Sequence, residues 1–486
     1  MTRTGPIRSL IRRLRRNERG ALIPFFGVSL TVLLGMIALS FDLGRIAATQ
    51  SELQSYADSA ALAAAGELDG LPDAITRATS AANTLISETQ TYGNQGAAPT
   101  IASITFYPTL PGADTAGLTG ATTAPGSARY VRIVVADSAV QLTFAAAFAA
   151  LSGNAPIDNT VSAQAVAGYS QFACAITPMM FCLPNDPAFN ATSARGRMIN
   201  LRSGGGGSAQ WGPGDFGFLD PAKALINDEG PCDGLTGGNL DRCLIAAEGP
   251  LTACFRQDGV DIEPGQKVGI EDAAINVRFD IYKATMNGKR NDANYRPAPN
   301  VVKGIVPAHG GMCIGNSEAV SPDTIALPRD GNLSPTNRYG NGTWNRAAYI
   351  ATNHGGTDPV PAAGIPGTFP GSRYEMYRAE IAKAAGGNIL TGRAETGRAQ
   401  CASGASTDPE RRVIVVAGID CAANPVKGAA TGVPVKEFYR IFLTEPAGQD
   451  GSSPPKLDIW GEVVGSASTS GAGGTVVFHD FVQLYR

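Results

Sequence analysis

Eight cysteines and three histidines are the residues of this 486-residue chain best suited to metal or redox chemistry. A tetrahedral zinc site draws its thiolates and imidazoles in closely spaced pairs, because two ligands usually come from one turn. Cys174, Cys182, Cys232, Cys243, Cys254, Cys313, Cys401 and Cys421 contain no CxxC pair, and His309, His354 and His479 stand far apart. No metal site is expected. The even cysteine number points to disulfides, whose connectivity spacing leaves open. Cys174 with Cys182 and Cys401 with Cys421 would close local loops.

Nucleophilic and phosphate chemistry find no better footing. There is no GxSxG elbow to expose a serine, and His309-Gly310-Gly311, which looks like an oxyanion loop, has no serine in context and reads as a turn. GxxxxGK[ST] and HExxH are absent. Asp158-Asn159-Thr160-Val161-Ser162 has the order of an acid-serine-serine cation motif, but Gly153-Asn154-Ala155-Pro156-Ile157 ahead of it signals a turn where that motif requires a strand. No catalytic residue and no cofactor is assigned, no small-molecule substrate is expected, and the chain reads as non-enzymatic.

The elements that would carry a binding role start with the membrane. Ala21 to Phe41 is a run of 21 residues without a charge. At 1.5 Å per residue it covers about 31 Å, one hydrocarbon thickness. Residues 1–20 carry seven Arg and one Glu, a local charge of +6 in a chain of net charge −3. By the positive-inside rule Arg12, Arg13, Arg15, Arg16 and Arg19 orient the anchor on anionic lipid, with the N-terminus cytoplasmic and the remainder outside. Two processed forms compete with an uncleaved anchor: a signal peptide cut near Ala38-Leu39-Ser40, and a leader cut after Gly20, whose fifth following position is Phe25. All eight cysteines fall beyond the span, as an oxidising compartment requires. Once the basic leader is set aside the body is acidic, which argues against nucleic acid as a partner.

Beyond the span, Asp42 and Arg45 lie three apart and are placed to pair on the helix surface. Leu53, Ala57, Ala60, Ala61 and Ala64 then form one helical stripe, narrow enough for another element to pack closely, while Gln54 and Asp58 face elsewhere. Asp58 is either solvated or in contact with a partner helix. Asp69-Gly70-Leu71-Pro72 breaks the helix and Ala74 to Thr89 restarts it. Strands are predicted over Ile101 to Tyr107, Tyr130 to Val135 and Val161 to Tyr169, with a short helix over Leu142 to Leu151. After about residue 170 the texture changes. Cysteines and lysines appear, glycine runs interrupt the chain, and only Tyr374 to Ala385 (helix), Val413 to Val416 and Phe438 to Leu443 (strands) stand out. Composition agrees: 43% hydrophobic and 17% charged is globular, and 59 Gly with 32 Pro is loop-rich without collagen or coiled-coil periodicity.

These residues carry a resemblance. Asn17-Glu18-Arg19-Gly20-Ala21, the apolar run, Phe41-Asp42-Leu43-Gly44-Arg45 and Leu53-Gln54-Ser55-Tyr56-Ala57-Asp58-Ser59-Ala60-Ala61-Leu62-Ala63-Ala64-Ala65 resemble the N-terminal module of TadG-like proteins of the Tad (tight adherence, Flp) pilus-assembly system. Val131 to Val135, Phe144, Leu151-Ser152-Gly153 and Val161 to Gly168 resemble TadE/TadG-type chains more loosely. Trp211 to Gly217, Asn276 to Tyr282 and Arg411-Arg412 with Val413 to Val416 are similar to the tails of some TadG-related proteins. The resemblance implies a bacterial inner-membrane protein with a periplasmic body, other pilus-assembly proteins as partners, and no catalysis. Phe25 stands where a cleaved pseudopilin of this type has Glu, and the von Willebrand metal-site domain of some relatives is not recognisable.

The expected fold is therefore α+β: a long transmembrane helix continuing into a periplasmic helix packed on a small antiparallel sheet, then an irregular disulfide-containing α/β region. The expected divisions are a cytoplasmic segment 1–20, a span 21–41, a helix-plus-sheet domain 42–170 and a cysteine-containing domain 171–486. The expected function is scaffolding in Tad/Flp pilus assembly. A membrane-anchored envelope binding module or adhesin is the rival, and an anchored hydrolase the weaker third.

Overall fold

The computed structural model describes residues 22–84, 89–92, 96–113, 115–152, 159–174, 176–204, 210–221, 225–226, 230–248, 253–256, 259–263, 273–299, 326–333, 338–365, 368–384, 401–449, 453, 456–467 and 477–485. They form two units, Met1–Ser170 with Asp480–Arg486, and Gln171–His479.

The first unit is built on α1, Leu22–Ala65, a single helix of 44 residues and about 66 Å. Pro24 falls in its first turn, where a missing N–H leaves no intrahelical bond unmade. At the other end Gly66, Glu67 and Leu68 donate to Leu62, Ala64 and Ala65, which tightens the last turn and satisfies its carbonyls. Arg77 of α2, Ala74–Thr84, then pairs with Glu67 and, at 2.6 Å, with Asp69, closing the corner between the two helices.

Against α1 lies an antiparallel sheet of β1 (Ile101–Tyr107), β2 (Tyr130–Val135) and β5 (Gln164–Cys174). Between them come the short pair β3 (Ser138–Ala139) and β4 (Thr160–Val161), and the helix α3 (Thr143–Ser152). Val131, Ile133 and Val135 alternate inward along β2, and Ala165 and Ala167 do so along β5, so the face toward α1 is made of small and branched residues. On the opposite face the rings of Tyr130 and Tyr485 meet edge to face at 5.3 Å over Gly168, where a Cβ would overlap both. Tyr485 follows a C-terminal strand, Val477–Leu484, that pairs with β5; the Tyr485 N–H donates to Val166 O, and Tyr169 donates to Asp480 at 2.7 Å. The end of the chain thus returns to the first unit, a pairing the division at residue 170 does not include.

The second unit is more regular than the irregular α/β region expected. Its strands are β6 (Met179–Cys182), β7 (Met198–Ser203), β8 (Asp215–Phe218), β9 (Leu225–Ile226), β10 (Ala253–Arg256), β11 (Val260–Ile262), β12 (Val413–Ile419), β13 (Ala430–Val433), β14 (Glu437–Leu443), β15 (Gly448–Gln449) and β16 (Leu457–Ser466). The order β14-β12-β6-β8-β7-β16 closes on itself because β16 also pairs with β14. The result is a six-stranded barrel with parallel β12–β6 and β7–β8 contacts and antiparallel ones elsewhere. Closure leaves none of the six with an open edge. Where Gly461 of β16 lies opposite Leu443 of β14 the strands approach so closely that a Cβ on Gly461 would overlap Ile441 and the Phe442 carbonyl.

Around the barrel lie α4 (Gly237–Ala246), α5 (Arg346–His354), α6 (Val360–Ala363) and α7 (Arg373–Ala384). Tyr349, Tyr374, Met376 and Tyr377 pack with Phe442 and Val464. The first turn of α7 is capped by the barrel itself: Glu462 accepts the Arg373 and Tyr374 amides at 2.8 and 2.9 Å. The Arg373 guanidinium reaches Glu462 at 3.0 Å and Asp330 at 2.5 Å, all three side chains being fully buried. The C-terminal end of α4 is met by two buried arginines, Arg278 donating to Ile245 O and Arg411 to Ala246 and Ala247 O. Guanidinium groups there satisfy the orphan carbonyls and the negative end of the helix dipole together.

The disulfides follow this topology rather than local loops. Cys174 is bonded to Cys254, Cys182 to Cys421 and Cys232 to Cys243. The local pairings of Cys174 with Cys182 and of Cys401 with Cys421 are thus corrected. Cys174 faces Cys254 across the β5–β10 ladder, and parallel pairing of β6 with β12 sets Cys182 beside Ile419, two residues from Cys421. Cys401 is also disulfide-bonded, and Cys313 lies outside the described residues.

Candidate functional site at the exit of the apolar helix

α1 changes character along its length. Its lower part is long and apolar enough to cross a membrane, with a mean hydropathy of 2.1 over the most apolar 18 residues, none of them buried by protein. Phe25 and Phe41 are exposed. The first buried side chain on the way up is Asp42, only 5% exposed.

Asp42 is buried because another helix uses it. Its carboxylate accepts the backbone N–H groups of Phe144 at 3.1 Å and Ala145 at 2.7 Å, so it caps the N-terminus of α3. Arg45 turns away, donating to Thr143 Oγ1 at 3.4 Å and Tyr92 O at 3.5 Å. The expected Asp42–Arg45 pair gives way to these partners: orphan amides at a helix start reward a carboxylate more than an exposed ion pair does. Glu52 accepts the N–H groups of Thr91 and Tyr92 at 3.0 and 3.2 Å, which pins that loop to α1. Phe41 and Phe144 meet edge to face, centroids 5.7 Å apart.

Higher on α1 the structure places Leu53, Ala57, Ala60, Ala61 and Ala64 together at 0% exposure, inside the unit's own core with Val131, Ile133, Ala165 and Ala167. The stripe faces its own sheet, so another protein cannot reach it in this fold. Gln54 stands beside it, its amide donating to Gln164 O at 3.0 Å and to Asp58 at 2.7 Å, while Gln50 donates to Ser162 O at 2.8 Å. Asp58, partly exposed, accepts from the glutamine that ties α1 to β5 and so orients it. The i, i+4 spacing of Gln50 and Gln54 was the available sequence signal for this seam.

Arg12, Arg13, Arg15, Arg16 and Arg19 lie outside the described residues, as do Gly20, Asp158 and His309. Among the described residues no group of three or more His, Cys, Asp and Glu is placed to hold a metal ion. One polar cluster escaped the sequence reading. His354 Nε2 lies 2.9 Å from Glu380, which also accepts from Tyr349 at 2.6 Å, and Lys383 Nζ is 3.4 Å from His354 Nδ1. With His354 and Glu380 buried, it joins α5 to α7 within the interior of the second unit.

The segment containing Asp42, Gln54 and the alanine stripe is also the one that a family model matches. Residues 20–67 match the family model of the putative Flp pilus-assembly TadE/G-like domain. The match begins just before α1 and ends just after it. No curated protein and no solved structure matches the chain. The TadE/G-like module is thus one helix, and its motif residues divide by height: an apolar lower part, Asp42 and Arg45 at the exit, Leu53, Gln54 and the alanines against the sheet.

Proposed function

We propose that this chain is a non-enzymatic, membrane-anchored component of Tad/Flp pilus assembly that acts by scaffolding and protein contact. In this reading residues 1–20 are cytoplasmic, 21–41 cross the inner membrane and the remainder lies in the periplasm. The observation that carries it is the coincidence of the TadE/G-like match with α1, apolar and exposed below Asp42 and docked on a sheet above it. A helix continuous from lipid into a folded unit transmits position rather than chemistry. The disulfides Cys174–Cys254, Cys182–Cys421 and Cys232–Cys243 favour an oxidising compartment for the body.

The test is a clean deletion scored by electron microscopy for Flp-type filaments. Filament loss restored by the full-length chain is the expected result; normal filaments would overturn the assembly role. Orientation is tested separately by exchanging Arg12, Arg13, Arg15, Arg16 and Arg19 for Glu. A C-terminal reporter that remains periplasmic after that exchange would refute their orienting role. The binding-module rival rests on one specific feature, a cleft of about 440 Å³ in the second unit lined by Asp220, Arg256, Asp261 and Gly432. It gains weight only if filaments persist.

A further inference from the structure

We propose that α3 lies in the membrane interface, as a second anchor running beside the exit of α1 and taking the outer leaflet of the bilayer as its partner. The inference rests on the reading that the lower part of α1 crosses a membrane.

The sequence of α3, TFAAAFAALS, contains no charge. A helix apolar on all sides is normally enclosed, either by protein or by lipid. Protein does not enclose this one: Phe144 is 44% exposed, and Ala146 and Ala147 are exposed beside it, while Ala149 faces inward. Its height is fixed by the Asp42 cap. Asp42 follows directly on Phe41, the last residue of the uncharged run, so the N-terminus of α3 is held at the level where that run ends. The Phe41–Phe144 contact continues the apolar surface of the span onto α3 without a break.

The neighbouring groups are those of a membrane–water boundary. Tyr92, 49% exposed, has its backbone held by Arg45 and Glu52 on α1. A tyrosine on the rim and an arginine just above the apolar run are the residue types that favour the headgroup layer. Lipid is preferred over a second protein because the exposed apolar surface is continuous with a span that is itself bare on every side. A single helix in a bilayer is free to tilt and to rotate about its axis. A second element inserted off that axis opposes both, which would fix the facing of the sheet of the first unit.

The experiment uses the full-length protein in proteoliposomes of phosphatidylethanolamine and phosphatidylglycerol, with p-benzoylphenylalanine placed in turn at Phe144, Val32 and Leu71. Val32 lies in the apolar part of α1, and Leu71 is exposed in the turn beyond its far end, about 35 Å or more above Asp42 by helix rise. After irradiation, lipid adducts are measured by mass spectrometry. The proposal expects an adduct yield at Phe144 within about threefold of Val32 and at least about tenfold above Leu71, as for a side chain at the headgroup–acyl boundary. Adducts at Val32 with Phe144 no higher than Leu71 would overturn the interfacial placement while leaving the span intact. Absence of adducts at Val32 as well would overturn the span and the proposal with it. All three positions are exposed, so the substitutions fill no core.

Discussion

In the first unit the interior is mostly alanine, with Ala57, Ala60, Ala61 and Ala64 of the helix facing Ala165 and Ala167 of the strand. In the second it is aromatic and branched, with Phe181, Phe189, Tyr339, Phe438 and Tyr439 in the core, and the unit also buries Arg373, Arg278 and Arg411. Alanine brings little apolar area per residue, so the first unit depends on close backbone approach and on the Gln50 and Gln54 bonds that hold it. The second unit has volume enough to enclose charges, which carboxylates and carbonyl oxygens answer. Disulfides divide the same way: Cys182–Cys421 and Cys232–Cys243 lie within the second unit, and Cys174–Cys254 joins strands there too. The contrast suggests different tolerances, with added volume harmful in one unit and lost charge harmful in the other.

The largest effect expected is in the second unit. Burial pushes the Glu462 carboxyl up, against the pull of Arg373 and the two helix amides it accepts. Changing Arg373→Ala leaves Glu462 and Asp330 buried without their counter-ion, and removal of one partner from such a pair costs about 3–5 kcal/mol. All three tryptophans, Trp211, Trp344 and Trp460, belong to this unit, so denaturant unfolding followed by tryptophan fluorescence reads it selectively. A loss below about 1 kcal/mol, the range of exposed pairs, would show that the triad is not an essential brace.

The converse experiment overfills the first unit. Ala60 is fully buried, and Ala60→Leu forces a larger side chain between helix and sheet at a cost of about 1–3 kcal/mol. Amide exchange across α1 above Asp42 and across β2 should quicken while the tryptophan transition stays put. A shift of the tryptophan transition with unchanged exchange in β2 would break the contrast between the units.

What the sequence disclosed separates along the same line. α1, the alanine stripe and the strands at Ile101–Tyr107 and Tyr130–Val135 are legible because their signal is local, a period of 3.6 or 2 carried by consecutive residues. In the barrel two strands are legible, at Val413–Val416 and Phe438–Leu443, but its closure is not. Met179–Cys182 is four residues long and finds its parallel partner at Val413–Ile419, so neither pattern nor turn announces the pairing. The Cys182–Cys421 bond, 239 residues apart in sequence, inherits that obscurity. Asp42 failed for the same reason in miniature: Arg45 was visible three residues away, but the amides that claim the carboxylate belong to Phe144 and Ala145. The helix at Tyr374–Ala385, by contrast, is found at Arg373–Ala384.

A smaller effect is expected where the first unit meets its anchor. Asp42→Ala removes the cap of α3, a change that typically costs about 1 kcal/mol. The loss should appear as faster exchange at Phe144 and Ala145, with Asp42→Asn retaining part of the protection because its amide oxygen still accepts a hydrogen bond. Equal protection in wild type and Asp42→Ala would remove the cap from the account of the exit.

The smallest effect lies at the corner between α1 and α2 and separates the units by pH. Partial burial pushes the Asp69 carboxyl up, but the Leu71 N–H and the Arg77 guanidinium outweigh it and hold the group below its ordinary value. The folded value therefore lies under the unfolded one, about 3.9. The stability this contributes is present in full above the unfolded value and is lost as pH falls through the folded value. Asp69→Asn removes the titrating group, so the unfolding of the first unit should become less steep in pH below about 4, where an ordinary aspartate would protonate. The ion pair is partly exposed, with Arg77 and Asp69 side chains 33% and 30% accessible, so salt should weaken the effect. The tryptophan-monitored transition of the second unit should not respond to the substitution. An unchanged acid limb in β2 exchange after Asp69→Asn would mean that the corner is held by the helix-end backbone bonds alone.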